Sequence, residues 1–440
     1  MRKLRLIASE KAVPDMKTVW MLLAGICIIS LLIPWDSVTA IPALHRLRTL
    51  IFAADICILT ALIMKMFLFS QYSPVKSLAL RSKLVQFTRL FINSKENGLS
   101  IYSVEWRYAA KGQNYHIDLS PNGLIKDTTE IGVKLSEYLR KPLLKYWKSD
   151  GIAHYIFGIP PKRYDGMNLI GEGISEVTGE YKPKISYKPI PIYDNLAWDF
   201  TSEALHILLI APSGAGKSWF LKYLGGMVLK RQQRLYVIDA KNSDFGRLFR
   251  HSGVRVATNT EEILKMLSAL VKEMEYRYFR YFASGSADID ADFSTLGLVG
   301  HILIFDEILS ALNNAGKKEA AEMERLLKQI ALKGRAAGFS MVVTAQKLNA
   351  TDLSKAITEQ CQTRIILGSV VSEETFHQAT GFYKKDLATD YNGGIGKGYA
   401  VTPKSEGLAP VKTPLMPGNS KCIALFKELR DRGTPCGYGE

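Results

Sequence analysis

The chain has 440 residues, 47% of them hydrophobic, and 57 Lys plus Arg stand against 42 Asp plus Glu for a formal net charge of +15. That length exceeds one ordinary core and calls for two or three folded units; the basic excess suits a polyanionic partner, nucleic acid or an anionic membrane face, without choosing between them. The five cysteines, Cys27, Cys57, Cys361, Cys422 and Cys436, form no CxxC pair and have no histidine at metal-ligand spacing, which argues against a disulfide framework or zinc site and for a reducing compartment around the main body.

Residues 1–17 carry Arg2, Lys3, Arg5, Lys11 and Lys17, and residues 18–34 are almost wholly apolar. No small-residue cleavage pattern follows, and a second apolar stretch, 47–69, comes soon after. Each is about long enough for the ~20 residues a bilayer requires, so residues 1–70 are expected to form an anchor of two membrane helices. The basic N-terminus and the Lys76, Arg81, Lys83, Arg89 cluster flank the hairpin, against a weaker opposing signal from Arg46 and Arg48. This predicts a multi-pass protein of the cell membrane with both termini cytoplasmic. Asp55, inside the second helix, marks either a functional or protein contact or a position near enough to the outer face to reach water, while Lys65 snorkels to the interface.

Residues 71–193 read as a small cytoplasmic α+β domain: strands over Ile101–Tyr108, Tyr115–Leu119 and Ile152–Phe157, and a helix over Thr129–Lys141. The mixture Tyr138, Lys141, Lys145, Tyr146, Trp147, Lys148 fits either a solvated helix face over core aromatics or a nucleic-acid contact. The Pro-rich run Lys182–Pro191 reads as a linker.

Strands and helices alternate through 194–404, which predicts a mostly parallel sheet covered on both faces. At its head, an apolar strand, His206–Ile210, breaks into Ala211, Pro212, Ser213, Gly214, Ala215 and Gly216 before a helix starts at Lys217 and Ser218. This is a phosphate-binding loop for ATP: backbone N–H groups face the β-phosphate, Lys217 reaches the β/γ-phosphates and the Ser218 hydroxyl ligates Mg2+. Its first position is Ala211, where the strict motif has Gly.

Downstream, Leu235–Asp239 is a strand ending in Asp239-Ala240-Lys241, and Val254–Ala257 is another. Glu261–Phe282 is a long helix with Ile263, Leu267, Leu270, Met274 and Tyr278 on one face. The strand HILIFDE ends in paired acids, of which Asp306 would hold Mg2+ and Glu307 would orient and deprotonate the attacking water. A helix over Lys318–Ala337 precedes a strand ending at Gln346, which is placed either to sense the γ-phosphate or to stabilise a loop. Arg335 and Arg364 are the two candidates for an arginine finger acting on a neighbouring subunit; each also suits an ordinary ion pair. The glycine-rich NGGIGKG, 392–398, reads as a tight turn before a short strand, Tyr399–Thr402, and 405–440 as a C-terminal tail.

The segments IAPSGAGKSWFL, YVIDAKNSDF, ILIFDEILSAL, LLKQIALKGRAAGFSMVVTAQKL and QCQTRIILGSVVSEETF, in this order, resemble the motor domain of the FtsK/SpoIIIE family of DNA-translocating ATPases over about residues 195–403. The resemblance implies a RecA-like P-loop ATPase fold, a hexameric ring, and ATP-driven movement of DNA, single- or double-stranded, through its centre. Carried over by position, Lys217 and Ser218 bind nucleotide and Mg2+, Asp306 and Glu307 serve metal and water, and Gln346 is the sensor. Two membrane helices, no long linker and no room for a C-terminal winged-helix module set the chain apart from chromosomal members. That trimmed plan is similar to the TcpA-like coupling proteins of Gram-positive conjugative elements, which implies a relaxase and transfer-channel proteins as partners. A chromosome-partitioning translocase and a protein-secretion ATPase of the type VII kind are the alternatives.

Overall fold

The structure, a computed structural model, describes residues 2–6, 74–92, 104–121, 125, 127–172, 185–283, 290–349, 351–387, 392–405 and 407–431. Both expected membrane spans, with Asp55 and Lys65, lie outside the described residues. Among the described residues no helix is long and apolar enough to cross a membrane. The chain divides into two compact units, Met1–Pro160 and Pro161–Glu440.

The first unit runs β1 (Arg2–Leu6), α1 (Pro74–Phe87) with a π-helical turn at Thr88–Ile92, β2 (Val104–Lys111), β3 (Asn114–Ser120), α2 (Thr128–Leu139), β4 (Leu143–Ser149) and β5 (Ile152–Phe157). Its antiparallel sheet has the order β1-β2-β3-β5-β4. Alternation in β2 buries Val104, Trp106, Tyr108 and Ala110, and the first three pack with Leu80, Leu84 and Phe87 of α1 and Leu135 of α2. Asp127 caps α2 by accepting the N–H groups of Thr129 at 2.8 Å and Glu130 at 3.2 Å, and these bonds hold its carboxyl below the usual range. The helix stops two residues short of Lys141 because Arg140 turns left-handed (φ 51) and Pro142 follows.

Residues 143–149 are a strand rather than a solvated helix face. Tyr146 turns inward, its ring 5.4 Å from that of Tyr155, while Trp147 stacks on His154 of the neighbouring strand at 4.8 Å. That is the two-residue alternation of a strand.

The second unit begins with α3 (Gly166–Gly171), a hairpin of β6 (Ile190–Tyr193) and β7 (Leu196–Trp198), β8 (Ile207–Ile210) and α4 (Lys217–Lys230). It continues through β9 (Arg234–Asp239), α5 (Asp244–His251), β10 (Arg255–Ala257), α6 (Thr260–Arg277), β11 (His301–Asp306), α7 (Ile308–Asn314), α8 (Lys317–Ala337) and β12 (Phe339–Ala345). The rest is α9 (Lys355–Gln360), β13 (Thr363–Leu367), α10 (Glu373–Thr380), β14 (Lys397–Val401), β15 (Ala409–Lys412) and α11 (Asn419–Asp431). The expected long helix ends as a helix at Arg277, and Tyr278–Phe282 is a π-helical turn.

One eight-stranded sheet, order β10-β9-β11-β12-β8-β13-β14-β15, organises this unit. It is parallel from β10 to β13, and β14 and β15 close one edge antiparallel. Its central strands are buried on both faces, and the two cores lie on either side of it: α6 to α10 pack with one, α3, α4, α5 and α11 with the other. His206 ties the layers together by accepting the Met341 N–H at Nδ1 (3.1 Å) with Nε2 3.2 Å from the Ala331 carbonyl; full burial holds its pKa down at about 4.

The domain limits differ from the expected 193/194 and 404/405. Tyr193 donates its hydroxyl to the Pro161 carbonyl at 2.8 Å and the Gly166 N–H bonds the Leu415 carbonyl at 2.8 Å, so residues 161–193 join the second unit. The described part of the expected linker is likewise fixed, with the Ser186 N–H on the Arg231 carbonyl at 2.9 Å. The expected tail supplies β15 and α11. On α4, a Cβ at Gly226 would come within 2.6 Å of both Ile170 and Phe426, so only hydrogen there lets α3 and α11 close on the helix.

Candidate active site

β8 ends in the middle of the sheet, between β12 and β13, and the phosphate loop leaves from that end. The Ala211 N–H bonds the Ala345 carbonyl at 3.0 Å, so this residue still belongs to the strand ladder. Its methyl group is buried and its φ is not positive, which is why Ala serves where the strict motif has Gly. Gly214 (φ 77) and Gly216 (φ 94) take the left-handed conformations, and a Cβ on Gly214 would point into open space. Ser213 and Gly214 form the exposed crest, and Gly216 caps α4, with Lys217 and Ser218 in its first turn.

Lys217 Nζ lies 2.7 Å from Asp306 Oδ1 and 3.0 Å from Glu307 Oε2. The Lys side chain is only 12% exposed and the acids 6% and 7%. Burial opposes the charge on Lys217, but the carboxylates outweigh it and hold the ammonium above its ordinary value. The pairing is possible because β11 and β8 are separated by one strand and both run to the same sheet edge.

Glu307 is left-handed, φ 57 and ψ 63, a conformation that costs a non-glycine residue about 1–2 kcal/mol. Thr344, fully buried on β12, holds it: its Oγ1 accepts the Glu307 N–H at 3.0 Å and donates to Asp306 Oδ1 at 3.0 Å. The Gln346 N–H bonds Glu307 Oε1 at 3.3 Å, so Gln346 stands beside that carboxylate. Lys241 Nζ is 3.9 Å from Glu307 Oε2. Its loop is fixed by Asp239, whose carboxylate accepts the N–H groups of Lys241, Ser243 and Gly246.

The structure therefore brings together Lys217, Ser218, Asp306, Glu307 and Gln346. The arginines lie apart from them. Arg364 gives Nε to the Cys361 carbonyl and Nη2 to the Thr358 carbonyl, both at 3.1 Å, closing the end of α9. Arg335, in the last turn of α8, is 59% exposed and 3.4 Å from Glu203. Thr344 joins the site without a role read from the sequence, as do Asp239 and Lys241, there read only as the end of a strand; their shared signal is position at or just past the C-terminal ends of parallel strands in one sheet.

Residues 394–397 make the tight turn into β14, and this turn backs the phosphate loop: the Gly396 N–H bonds the Ala215 carbonyl at 2.7 Å. Thr413 donates its N–H to the Gly396 carbonyl at 2.8 Å, and Arg163 donates to Thr413 in turn. These residues fit a nucleoside triphosphate with Mg2+: the loop runs into a helix whose first-turn N–H groups have no helical partner, Lys217 stands at that turn, and Ser218 and Asp306 would supply hard oxygen ligands of the kind Mg2+ takes.

Residues 184–296 match the FtsK/SpoIIIE family. The FtsK domain-containing protein YdcQ of Bacillus subtilis (strain 168) is 25% identical over 211 residues, 48% of this chain and 43% of its own length. The DNA translocase FtsK of Staphylococcus epidermidis is 23% identical over 253 residues, 51% of this chain and 29% of its own length. The chain thus spans less than half the length of these curated relatives. Among solved structures, the pCW3 conjugation coupling protein TcpA, a monomer form with ATPγS, is 16% identical with a TM-score of 0.48, covering 73% of this chain and 92% of TcpA. The cytoplasmic domain of the type VII secretion ATPase EccC of Thermomonospora curvata is 17% identical with a TM-score of 0.47, covering 62% and 35%. The fold around the site is an α/β fold in which a mostly parallel sheet carries a phosphate loop at the end of β8.

Proposed function

We propose that the chain is an ATP-driven DNA translocase held at the cell membrane, the coupling protein that delivers DNA to a conjugative transfer channel. The observation that carries this reading is the convergence of Lys217 with Asp306 at 2.7 Å and Glu307 at 3.0 Å beneath a phosphate loop, in a unit of which residues 184–296 match FtsK/SpoIIIE. Ser218 and Asp306 would hold Mg2+, which supplies charge neutralisation at the β/γ-phosphates. Lys217 moves its ammonium from the carboxylates to those phosphates, Glu307 orients and deprotonates the attacking water, and Gln346 senses the γ-phosphate through its backbone link to Glu307.

The ring is proposed to be a hexamer in which Arg335 or Arg364 of one copy approaches the nucleotide of the next. Arg335, exposed and in a surface pair, moves at little cost, whereas Arg364 would forfeit two carbonyl bonds. Membrane anchoring rests on the apolar stretches 18–34 and 47–69. It is supported by β1, which precedes the apolar stretches, pairing with β2, which follows them, because flanks held together suit two crossings and cytoplasmic termini. The conjugative role, with a relaxase and channel proteins as partners, rests on the resemblance of the sequence to TcpA-like coupling proteins.

Displacement of a triplex-forming strand from duplex DNA by the full chain in detergent tests translocation directly, with a single-stranded track blocked by bound streptavidin as the second substrate. ATP-dependent displacement from either track, absent in Glu307→Gln, is expected. Displacement from neither, by a preparation that hydrolyses ATP, would overturn the DNA-motor reading.

A further inference from the structure

We propose that Trp219 and Ile395 form the shelf that takes the base of the bound nucleotide, a planar aromatic ring system stacked on the exposed face of Trp219. The inference rests on the phosphate-loop reading and assigns the opposite end of that site.

The sheet gives the phosphate loop a direction. On one side of β8 lie β12 and β11, whose ends carry Thr344, Asp306 and Glu307, and these define the γ-phosphate end. On the other side lie β13 and β14, whose approaches meet the loop's back. The Gly396 N–H bonds the Ala215 carbonyl at 2.7 Å, and a Cβ on Gly216 would meet the Gly396 nitrogen at 2.7 Å and the Ile395 carbonyl carbon at 3.6 Å. A nucleotide whose γ-phosphate faces Glu307 therefore leads its nucleoside toward Ile395.

Trp219 flanks the loop on its helix side. It is the residue after Ser218 in the first turn of α4, where backbone N–H groups have no helical partner and face the phosphates. Trp219 is 44% exposed and Ile395 71%, so each offers apolar surface to a ligand. The indole is also held. Lys222 Nζ sits 4.0 Å from its ring centroid and is itself fixed by the Pro417 carbonyl at 3.3 Å and Asn419 Oδ1 at 3.0 Å. A cation so placed covers one face of the ring and leaves the other for stacking.

Stacking of a base on an aromatic side chain is worth about 1–3 kcal/mol, which corresponds to about tenfold or more in affinity. The test is calorimetric titration of the full chain in detergent with ATP and, separately, inorganic tripolyphosphate, both with Mg2+, for wild type, Trp219→Ala, Trp219→Phe and Lys217→Ala. The expected result is that Trp219→Ala weakens ATP about tenfold, leaves tripolyphosphate unchanged, and is largely restored in Trp219→Phe. Unchanged ATP affinity in Trp219→Ala, or equal weakening of both ligands, would overturn the base shelf while leaving the phosphate loop standing. Failure of wild type to bind tripolyphosphate, or binding that Lys217→Ala leaves intact, would instead remove the phosphate-loop reading beneath it.

Discussion

Glu307 occupies a left-handed conformation that its side chain disfavours, and the Thr344 hydroxyl is what its N–H receives in return. The same hydroxyl donates to Asp306, so one buried group sets both acids. Thr344→Val keeps the shape and removes both bonds, leaving a buried N–H unpaired at a cost of about 1–3 kcal/mol. If that cost falls on the geometry of the attacking water, kcat for ATP hydrolysis drops about 10–100-fold while KM changes little, and Thr344→Ser recovers most of the rate. Steady-state kinetics of the three proteins checks this, and an unchanged kcat in Thr344→Val would remove Thr344 from the machinery. The sequence exposes Lys217, Asp306 and Glu307 because each sits in a pattern with its own chemistry: a glycine loop running into a helix, and an apolar strand running into two acids. Thr344 carries no such mark, since a β-branched residue in a strand is what sheet packing selects anyway. Only the parallel register of β11 with β12, Phe305 opposite Val343, brings it beside Asp306.

At the scale of elements, the alternation of strands and helices from His206 to Thr402 was readable because buried parallel strands are short apolar runs and their covering helices have clear apolar faces. The edges were not readable. β15 has only four residues and includes Pro410, and α11 shows three buried side chains, Cys422, Phe426 and Leu429, amid charge. Their role depends on a partner far away in sequence: Phe426 stacks on Phe249 at 5.5 Å and lies against Gly226 of α4. In the first unit, β4 was hidden for a similar reason, because its Lys and aromatic residues also suit a helix until the alternation against β5 separates them. Phe426→Ala should cost about 3–5 kcal/mol of unfolding free energy, the range for a buried aromatic truncated to Ala. Denaturant unfolding followed on the second unit reads it, and a loss below about 1 kcal/mol would mean that α11 is peripheral rather than part of the core.

At the scale of the whole molecule, charge is unevenly shared. Residues 1–160 hold 21 Lys plus Arg against 11 Asp plus Glu, a net +10 of the total +15. Composition alone cannot separate nucleic acid from an anionic membrane as the reason, and the motor motifs tip the reading toward DNA. The central claim is that the Lys217–Asp306–Glu307 centre hydrolyses ATP in response to a nucleic-acid track. The most direct measurement is the ATP hydrolysis rate of the full chain in detergent, first without polymer and then with double-stranded DNA, single-stranded DNA or an unfolded polypeptide, with Glu307→Gln as control. Strong stimulation by one form of DNA, weakening as salt rises and lost in Glu307→Gln, is expected. Stimulation by the polypeptide alone, or hydrolysis that Glu307→Gln leaves intact, would contradict it.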